Sequence, residues 1–341
     1  MPRFIELEIK KFHKYFNKLE EKYRVVKPGD NMYVVSPKSQ QPTLPKSKNI
    51  ALTIGAITHG NESAGIGTVN DFLAYLSSGV INLELPLAFI LGNTEAALQE
   101  KRFIERDLNR SFSSPRADEQ KTKEEKRALA IQAILSQTAW FIDLHQTTLP
   151  SEEAFFIFPY AKASYSFARN VAPHQPIITH WGDGFSEAGM CSDEYVNSQG
   201  GVGITLELGQ NGLRSYHIGI GCSLLVSALA YVQKTVKQSN HSPALSHFEE
   251  LSSPEWGALY TFADIIPYPK TGLVQLVPGL YNFSAVKKGT KLADLGDSVL
   301  TAPEDRRLLF PTYLDPHTPS EKRPTELLRL LKQIEESELP Q

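Results

Sequence analysis

Three apolar runs with almost no polar alternation constrain the fold of this chain most. They are Ile50-Ala-Leu-Thr-Ile-Gly-Ala-Ile57, Trp140-Phe-Ile-Asp-Leu144 and Gly203-Ile-Thr-Leu-Glu-Leu-Gly209. A strand with one wet face alternates apolar and polar residues, whereas a strand covered on both faces reads as a continuous apolar run. Further strand-type runs fall at 85–91, 154–158 and 176–179. Helical patterns separate them, one beginning near Ser63, one over 119–138 and one over roughly 215–237. Strands alternating with helices predict an α/β fold, a mainly parallel mixed sheet with helices on both faces. In such sheets ligands bind outside the carboxyl ends of the strands.

The flanks read differently. Ile5, Ile9, Phe12, Phe16, Leu19 and Tyr23 recur at spacings of three and four, the stripe of an amphipathic helix packed on the outside of the domain. Pro37 to Lys48 carries three prolines and reads as a loop. Gln238 to Pro254 is polar and reads as a boundary. Beyond it, short β-type runs at 258–262, 273–277, 291–295 and 307–310 predict a small β-rich unit, closed by a helix from Thr325 to about Glu336. The expected division is a catalytic domain over 1–248 and a β-rich C-terminal domain with a terminal helix over 249–341.

Composition narrows the partners. A net charge of −3 gives no electrostatic reason to expect nucleic acid or an anionic membrane. Cys191 and Cys222 are too few for a disulfide framework and fit a reducing compartment, and no signal-peptide pattern opens the chain. The apolar stretch from Cys222 to Val232 is too short to span a bilayer. The expectation is a cytoplasmic protein, with room for association into homo-oligomers.

The ends of the apolar runs carry the chemistry. His59 and Glu62 follow the first run, three residues apart, and His145 follows the second. Two imidazoles and a carboxylate are the donor set of a hydrolytic zinc site, which takes three protein ligands and leaves a fourth position for water. Glu207 lies inside the third run, where a carboxylate must be paired, liganded or catalytic. Beside a metal it suits a general base that later protonates a leaving amine; the alternative is a carboxylate at a solvated strand end. Arg102-Phe-Ile-Glu-Arg-Asp-Leu-Asn-Arg110 adds a polar cluster. Arg110 and Asn109 are suited to a substrate carboxylate, and Asp107 to the outer ring nitrogen of a liganding histidine. A solvated loop is the plainer reading of that run. His13, His241, His247 and His317 are read as solvated, whereas His180, with Trp181, Gly182 and Gly184, is read as a structural histidine beside a pocket-edge loop.

His59-Gly-Asn-Glu62, Asp107-Leu-Asn-Arg110, Asp143-Leu-His145 and Leu206-Glu-Leu-Gly209 together resemble the four signatures of the succinylglutamate desuccinylase and aspartoacylase family, a branch of the zinc carboxypeptidase superfamily. They occur in the family's order over about 50–235, and Asn282–Gly289 with Leu308–Pro311 resembles the desuccinylase C-terminal domain. The resemblance implies one zinc per chain on His59, Glu62 and His145, with Glu207 as general acid/base. It implies Arg102 polarising the scissile carbonyl, Asn109 and Arg110 clamping a carboxylate, and Asp107 orienting His59. The implied reaction is hydrolysis of a small anionic N-acyl amino acid, N-succinylglutamate first. Two features depart from the pattern. Asn197 stands ten residues before Glu207, where an arginine contacting substrate is expected, and the chain closes on a helix instead of a strand. Asn197 is therefore expected at a neutral substrate group. An aspartoacylase-like deacylase, a small-peptide carboxypeptidase and a non-enzymatic zinc sensor or structural subunit remain as rivals, and Glu207 argues against the last, since a pure binding protein needs no base beside its metal.

Overall fold

A computed structural model describes residues 2–39, 44, 48–113, 121–182, 189–241, 256–316 and 318–340. The helices are α1 (Pro2–Leu19), α2 (Ala64–Ser78), α3 (Thr94–Leu98), α4 (Lys123–Leu135), α5 (Lys162–Val171), α6 (Ser192–Ser198) and α7 (Ser215–His241). The strands begin with β1 (Tyr23–Gly29), β2 (Met32–Pro37), β3 (Ile50–Ala56), β4 (Leu87–Leu91) and β5 (Thr138–Thr147). Next come β6 (Phe155–Pro159), β7 (Ile177–His180), β8 (Val202–Gln210) and β9 (Leu259–Pro267). The remainder are β10 (Gln275–Leu276), β11 (Ala285–Val286), β12 (Lys291–Asp294), β13 (Val299–Thr301), β14 (Arg306–Leu309) and β15 (Glu326–Gln333).

Twelve strands form one sheet in the order β1-β2-β4-β3-β5-β8-β6-β7-β9-β15-β14-β11, and β10-β12-β13 form a small second sheet. The centre, β4-β3-β5-β8, is parallel as expected; β6 runs antiparallel to β8 and is followed in parallel by β7 and β9. One face is covered by α1, α2, α5 and α7, whose Phe12, Phe72, Phe167 and Leu225 pack on Leu52, Ile142 and Leu206. Helices α4 and α6 cover the other, where Ala128, Ile131 and Val196 meet Ile50 and Phe141. The apolar runs are continuous because both faces are dry.

Alternation along β5 and β8 then assigns Asp143, His145, Thr205 and Glu207 to the α4/α6 face, with Trp140, Leu144, Ile204 and Leu206 on the other. Two glycines make room there. A Cβ on Gly55 would lie 2.8 Å from Asp143 Oδ1, and one on Gly203 would lie 2.5 Å from the Asp193 carbonyl oxygen of α6. Helix α7 is long and apolar enough to cross a membrane by composition, unlike the shorter stretch read from sequence. Its buried Cys222, Leu225, Ala228, Leu229 and Val232 belong instead to the sheet's apolar core.

Three sequence expectations change. The segment read as a closing helix is strand β15, paired with β9 on one side and β14 on the other. Leu327, Leu328, Leu330 and Leu331 are all buried; the leucine pairs mimic a helical stripe, but a strand covered on both faces satisfies them equally. The hairpin of β1 and β2 was not anticipated. His13 is half-buried and its ring is engaged: Nδ1 lies 2.8 Å from Tyr33 Oη and Nε2 3.0 Å from Asn31 Oδ1. His247, His317, Gly184 and the 248/249 boundary lie outside the described residues. From Leu259 onward β9, β15, β14 and β11 extend the same sheet, while β10, β12 and β13 form the second one, and an apolar cluster gathers around Leu292, Leu308 and Leu328.

The close seat of α6 on β8 gives the first prediction. Gly203→Ala should cost about 1–3 kcal/mol in chemical denaturation, the usual penalty for overpacking. An unchanged unfolding midpoint and slope would mean that α6 does not sit against this strand.

Candidate active site

Strand β3 ends at Ala56 and the chain turns sharply. Ile57 is fully buried with φ 55°, a left-handed conformation costly for a β-branched residue. The turn is held from the β4–α3 connection, where Gly92 N donates to Ala56 O at 2.8 Å and Asn93 N to Ile57 O at 2.7 Å. Three residues on, Gly60 lies so close to α3 that a Cβ would sit 2.4 Å from Ala96 C and Ala97 N, and its N–H donates to Arg102 O at 3.0 Å. The His59-Gly-Asn-Glu62 turn is thereby fixed to the segment that carries Arg102.

His59, Glu62 and His145 converge, each buried, with donor atoms all within 4.8 Å of one another. His59 Nδ1 is 2.7 Å from Glu62 Oε1, and His145 Nδ1 is 2.9 Å from Glu62 Oε2 and 3.1 Å from His59 Nδ1. Each ring turns its other nitrogen to a carboxylate. His59 Nε2 is 3.0 Å from Asp107 Oδ1, and His145 Nε2 is 3.1 Å from Asp143 Oδ2. With the proton on Nε2 each ring turns a bare Nδ1 to the same point; for His59 this tautomer needs Arg102 Nη2, a donor 2.8 Å from Nε2, to leave that nitrogen to Asp107. Two bare nitrogens facing one carboxylate repel at close range unless a cation lies among them, so the donor set fits a divalent metal such as zinc.

The charges agree. Burial favours neutral Glu62, yet the facing His59 and His145 outweigh it and hold the carboxyl well below the usual range. Asp107 is likewise depressed against its burial by the His59 hydrogen bond and the charges of His59, Arg102 and Arg110. For His145 burial works against the charged ring, but Asp143 and Glu62 raise its pKa well above the ordinary value.

Glu207 arrives from β8, whose parallel register sets it directly opposite His145. It is 8% exposed and its buried Oε2 has no hydrogen-bond partner among the described residues. Burial pushes it up to about 8, with His145 and Arg102 opposing and Glu62 and Asp143 adding. Arg102 folds back over the cluster, Nη1 3.2 Å from Glu62 Oε1, Nη2 2.8 Å from His59 Nε2, and both Nε and Nη2 3.2 Å from Asp107 Oδ2. Arg110 spends Nη1 on Asn109 O at 2.7 Å and Cys191 Sγ at 3.0 Å. Asn109 is buried, its Oδ1 accepting from Ser192 N at 3.0 Å.

Asn197 is not at this site. Its Oδ1 accepts from Gly203 N at 2.8 Å and from Ser164 Oγ at 3.2 Å. Gly203 is four residues before Glu207, about 13 Å back along the strand, so Asn197 ties α6 to the opposite edge of the sheet. Its neutrality has no bearing on substrate charge. His180 and Trp181 are also remote, because β7 runs opposite to β8 and ends at that same far edge.

The model of the succinylglutamate desuccinylase/aspartoacylase catalytic domain matches residues 48–218, half of the chain. The chain belongs to this family. A succinylglutamate desuccinylase from Burkholderia cenocepacia is 25% identical over 287 residues, covering 76% of this chain and 77% of that one. The fold is shared with a succinylglutamate desuccinylase structure from Vibrio parahaemolyticus, with a TM-score of 0.66, 18% identity and 92% and 91% of the two chains covered. Murine aminoacylase 3 shares it with a TM-score of 0.59 at 20% identity, over 87% of this chain and 97% of that one.

In this desuccinylase/aspartoacylase family member the sequence reading assigned no role to Asp143, although an acid inside the 140–144 run carries the same signal as Glu207. Asp143 is fully buried and accepts from Thr58 Oγ1 at 2.9 and 3.0 Å and from Ser192 Oγ at 2.6 Å. The loop before His59, the start of α6 and His145 thus share one carboxylate. Gln146 was also passed over: its N–H donates to Glu62 Oε2 at 3.0 Å, and its Oε1 accepts from Ala64 N at 2.7 Å.

Next to Ser192, Asp193 is 1% exposed and accepts from Glu194 N at 2.9 Å and Thr205 Oγ1 at 3.1 Å. Burial, with the charges of Glu194 and Asp143 adding, pushes its carboxyl up to about 7 from 3.8. The folded chain therefore keeps a proton that the unfolded chain releases. This group's contribution is fully present below about pH 4, declines as pH rises towards about 7, and is constant above. Asp193→Asn should remove that slope, so its unfolding free energy relative to wild type should improve steadily between about pH 4 and pH 7. A difference independent of pH would show that Asp193 ionises as it does in the unfolded chain.

Proposed function

We propose that this chain is a zinc-dependent amidohydrolase that removes the acyl group from an N-acyl acidic amino acid. In this reading N-succinylglutamate is the substrate, succinate and glutamate are the products, and the enzyme serves arginine breakdown in the cytoplasm with one zinc per chain. The observation that carries the reading is the placement of a buried carboxylate oxygen without a partner, on Glu207, against a converged two-imidazole, one-carboxylate donor set. A pure metal-storage or sensor site gains nothing from that acid. The names of the relatives support the substrate class, and the free, buried Cys191 and Cys222 suit a reducing compartment.

His59, Glu62 and His145 would hold the metal. Bound zinc supplies Lewis acidity to the scissile carbonyl and lowers the pKa of water. Glu207 Oε2 takes the proton of the attacking water and hands it to the leaving amine nitrogen. Arg102 donates to the oxygen that gains charge in the tetrahedral state. Arg110, anchored through Nη1, turns Nε and Nη2 to a substrate carboxylate, and Asn109 Nδ2 adds a donor. A second unit over 249–341 is part of the proposal, and by lying beside the segment that leaves β5 it would restrict entry to small substrates. Asn282 N and Nδ2 donate to Pro150 O and Leu149 O, each at 3.0 Å, just beyond the end of β5.

Metal analysis of purified protein should find about one zinc per chain. His145→Ala should lose it while remaining folded, and Glu207→Gln should keep it while turnover falls at least ~10²-fold. Full zinc occupancy in the first variant, or near-normal turnover in the second, would overturn the assignment.

Against a panel of N-succinyl, N-acetyl and N-formyl derivatives of Glu, Asp and Arg, the wild type should favour N-succinylglutamate. Arg110→Ala should lower kcat/KM on it about ten- to a hundredfold, the loss of one charge-assisted contact of roughly 1.5–3 kcal/mol. An equal kcat/KM in that variant would place the carboxylate clamp elsewhere.

A further inference from the structure

Helix α4 contributes no residue to the metal cluster, yet its first two turns hold both halves of the machinery around His59. Glu124 is 2% exposed and enters no ion pair among the described residues. Its Oε1 accepts from Ile104 N at 2.7 Å and Asn93 Nδ2 at 3.0 Å, and its Oε2 from Glu105 N and Arg106 N, each at 3.2 Å. Three consecutive backbone amides thus point at one buried anion. One turn later, Arg127 Nε donates to Gly92 O and Nη2 to Leu91 O, both at 2.7 Å. Glu124 and Arg127 spend their opposite charges on backbone and amide groups at both ends of the 92–106 segment.

That segment bears on the cluster from two directions. Through Asn93, whose N–H holds the carbonyl of left-handed Ile57, it sets the turn that delivers His59. Through the 104–106 loop it sets the spacing between Arg102 and Asp107, the two side chains on His59 Nε2. Among the described residues the 102–106 stretch is otherwise held by Gly60 N on Arg102 O at 3.0 Å, by Lys123 N on Glu105 Oε2 at 2.7 Å and by the exposed Arg106–Glu125 pair at 3.0 Å. An exposed ion pair of this kind contributes little.

We propose that Glu124 is a positioning residue: its carboxylate gathers the amides of Ile104, Glu105 and Arg106 and so fixes Arg102 and Asp107 against His59. Gln at this position is nearly isosteric but places an NH2 donor against N–H donors whichever way the amide turns. The proposal rests on the zinc amidohydrolase reading, since only that reading gives Arg102 and Asp107 work to do. Displacements of about 1 Å in such groups cost on the order of a hundredfold in rate, and loss of support behind a liganding histidine costs about 10–100-fold in metal affinity.

The test compares wild type, Glu124→Gln, Arg102→Ala and the double variant. Zinc affinity is measured by chelator competition, and kcat and KM on the best substrate of the panel. Glu124→Gln is expected to weaken zinc about tenfold and lower kcat about tenfold or more, with KM changed less than about threefold because Arg110 is untouched. In the Arg102→Ala background the same substitution should lower kcat by only about twofold, since of the two groups it acts through only Asp107, which bears on zinc affinity, remains. Wild-type kcat and zinc affinity in folded Glu124→Gln, or losses that simply multiply in the double variant, would overturn the proposal. Should Glu124→Gln fail to fold, hydrogen exchange on the wild type decides. The amides of Ile104, Glu105 and Arg106 should exchange as slowly as those of β8, and exchange at the rate of an open loop overturns the clamp. A wild type without zinc and without hydrolytic activity would count against the zinc amidohydrolase reading alone, because the exchange experiment still tests the clamp.

Discussion

Burying a carboxylate is costly unless something answers its charge, and among the described residues five are buried: Glu62, Glu124, Asp143, Asp193 and Glu207. Each is answered differently, and the differences organise the molecule. Glu62 faces two imidazoles and an arginine. Glu124 gathers backbone amides, Asp143 takes two hydroxyls and a histidine, and Asp193 moves towards its protonated form. Glu207 alone keeps a carboxylate oxygen with no partner among the described residues. Glu124, Asp143 and Asp193 hold structure, Glu62 belongs to the donor triad, and the acid with the incomplete partner set lies opposite His145.

The sheet makes this arrangement possible. Parallel pairing of β3, β5 and β8 carries three strand ends to one edge, and the register that sets His145 opposite Glu207 fixes the separation of metal donors and acid. Helix α6 must lie close to β8 for Ser192 to reach Asp143, and Gly203 permits it. The left-handed Ile57 concentrates backbone strain two residues before His59, and it persists because the β4–α3 turn holds it from outside.

Strands β9, β15, β14 and β11 extend the same sheet, and no residue of theirs belongs to the donor cluster. Asn282, fully buried, bonds Leu149, Pro150 and Phe310 and so joins this part of the chain to the segment leaving β5. Two more left-handed residues, Phe283 and Phe310, flank those bonds. The junction is thus built around one satisfied amide side chain, with the Phe155–Phe283 ring contact at 5.0 Å behind it.

The sequence by itself determined the buried strands, the parallel centre of the sheet and the donor triad. Those features follow from periodicity and from donor types placed at the ends of apolar runs, which are local properties of the chain. It did not determine β15, because paired leucines fit a helical stripe and a doubly covered strand alike, and only the neighbours β9 and β14 choose between them. Nor did it place Asn197. Counting ten residues back from Glu207 crosses the turn between α6 and β8, so sequence distance there says nothing of distance in space. The supports of the site were hidden for the same reason. Asp143 read as one acid in an apolar run and Glu124 as one charge in a charged helix, and their roles exist only in the partners that tertiary packing brings within 3.2 Å.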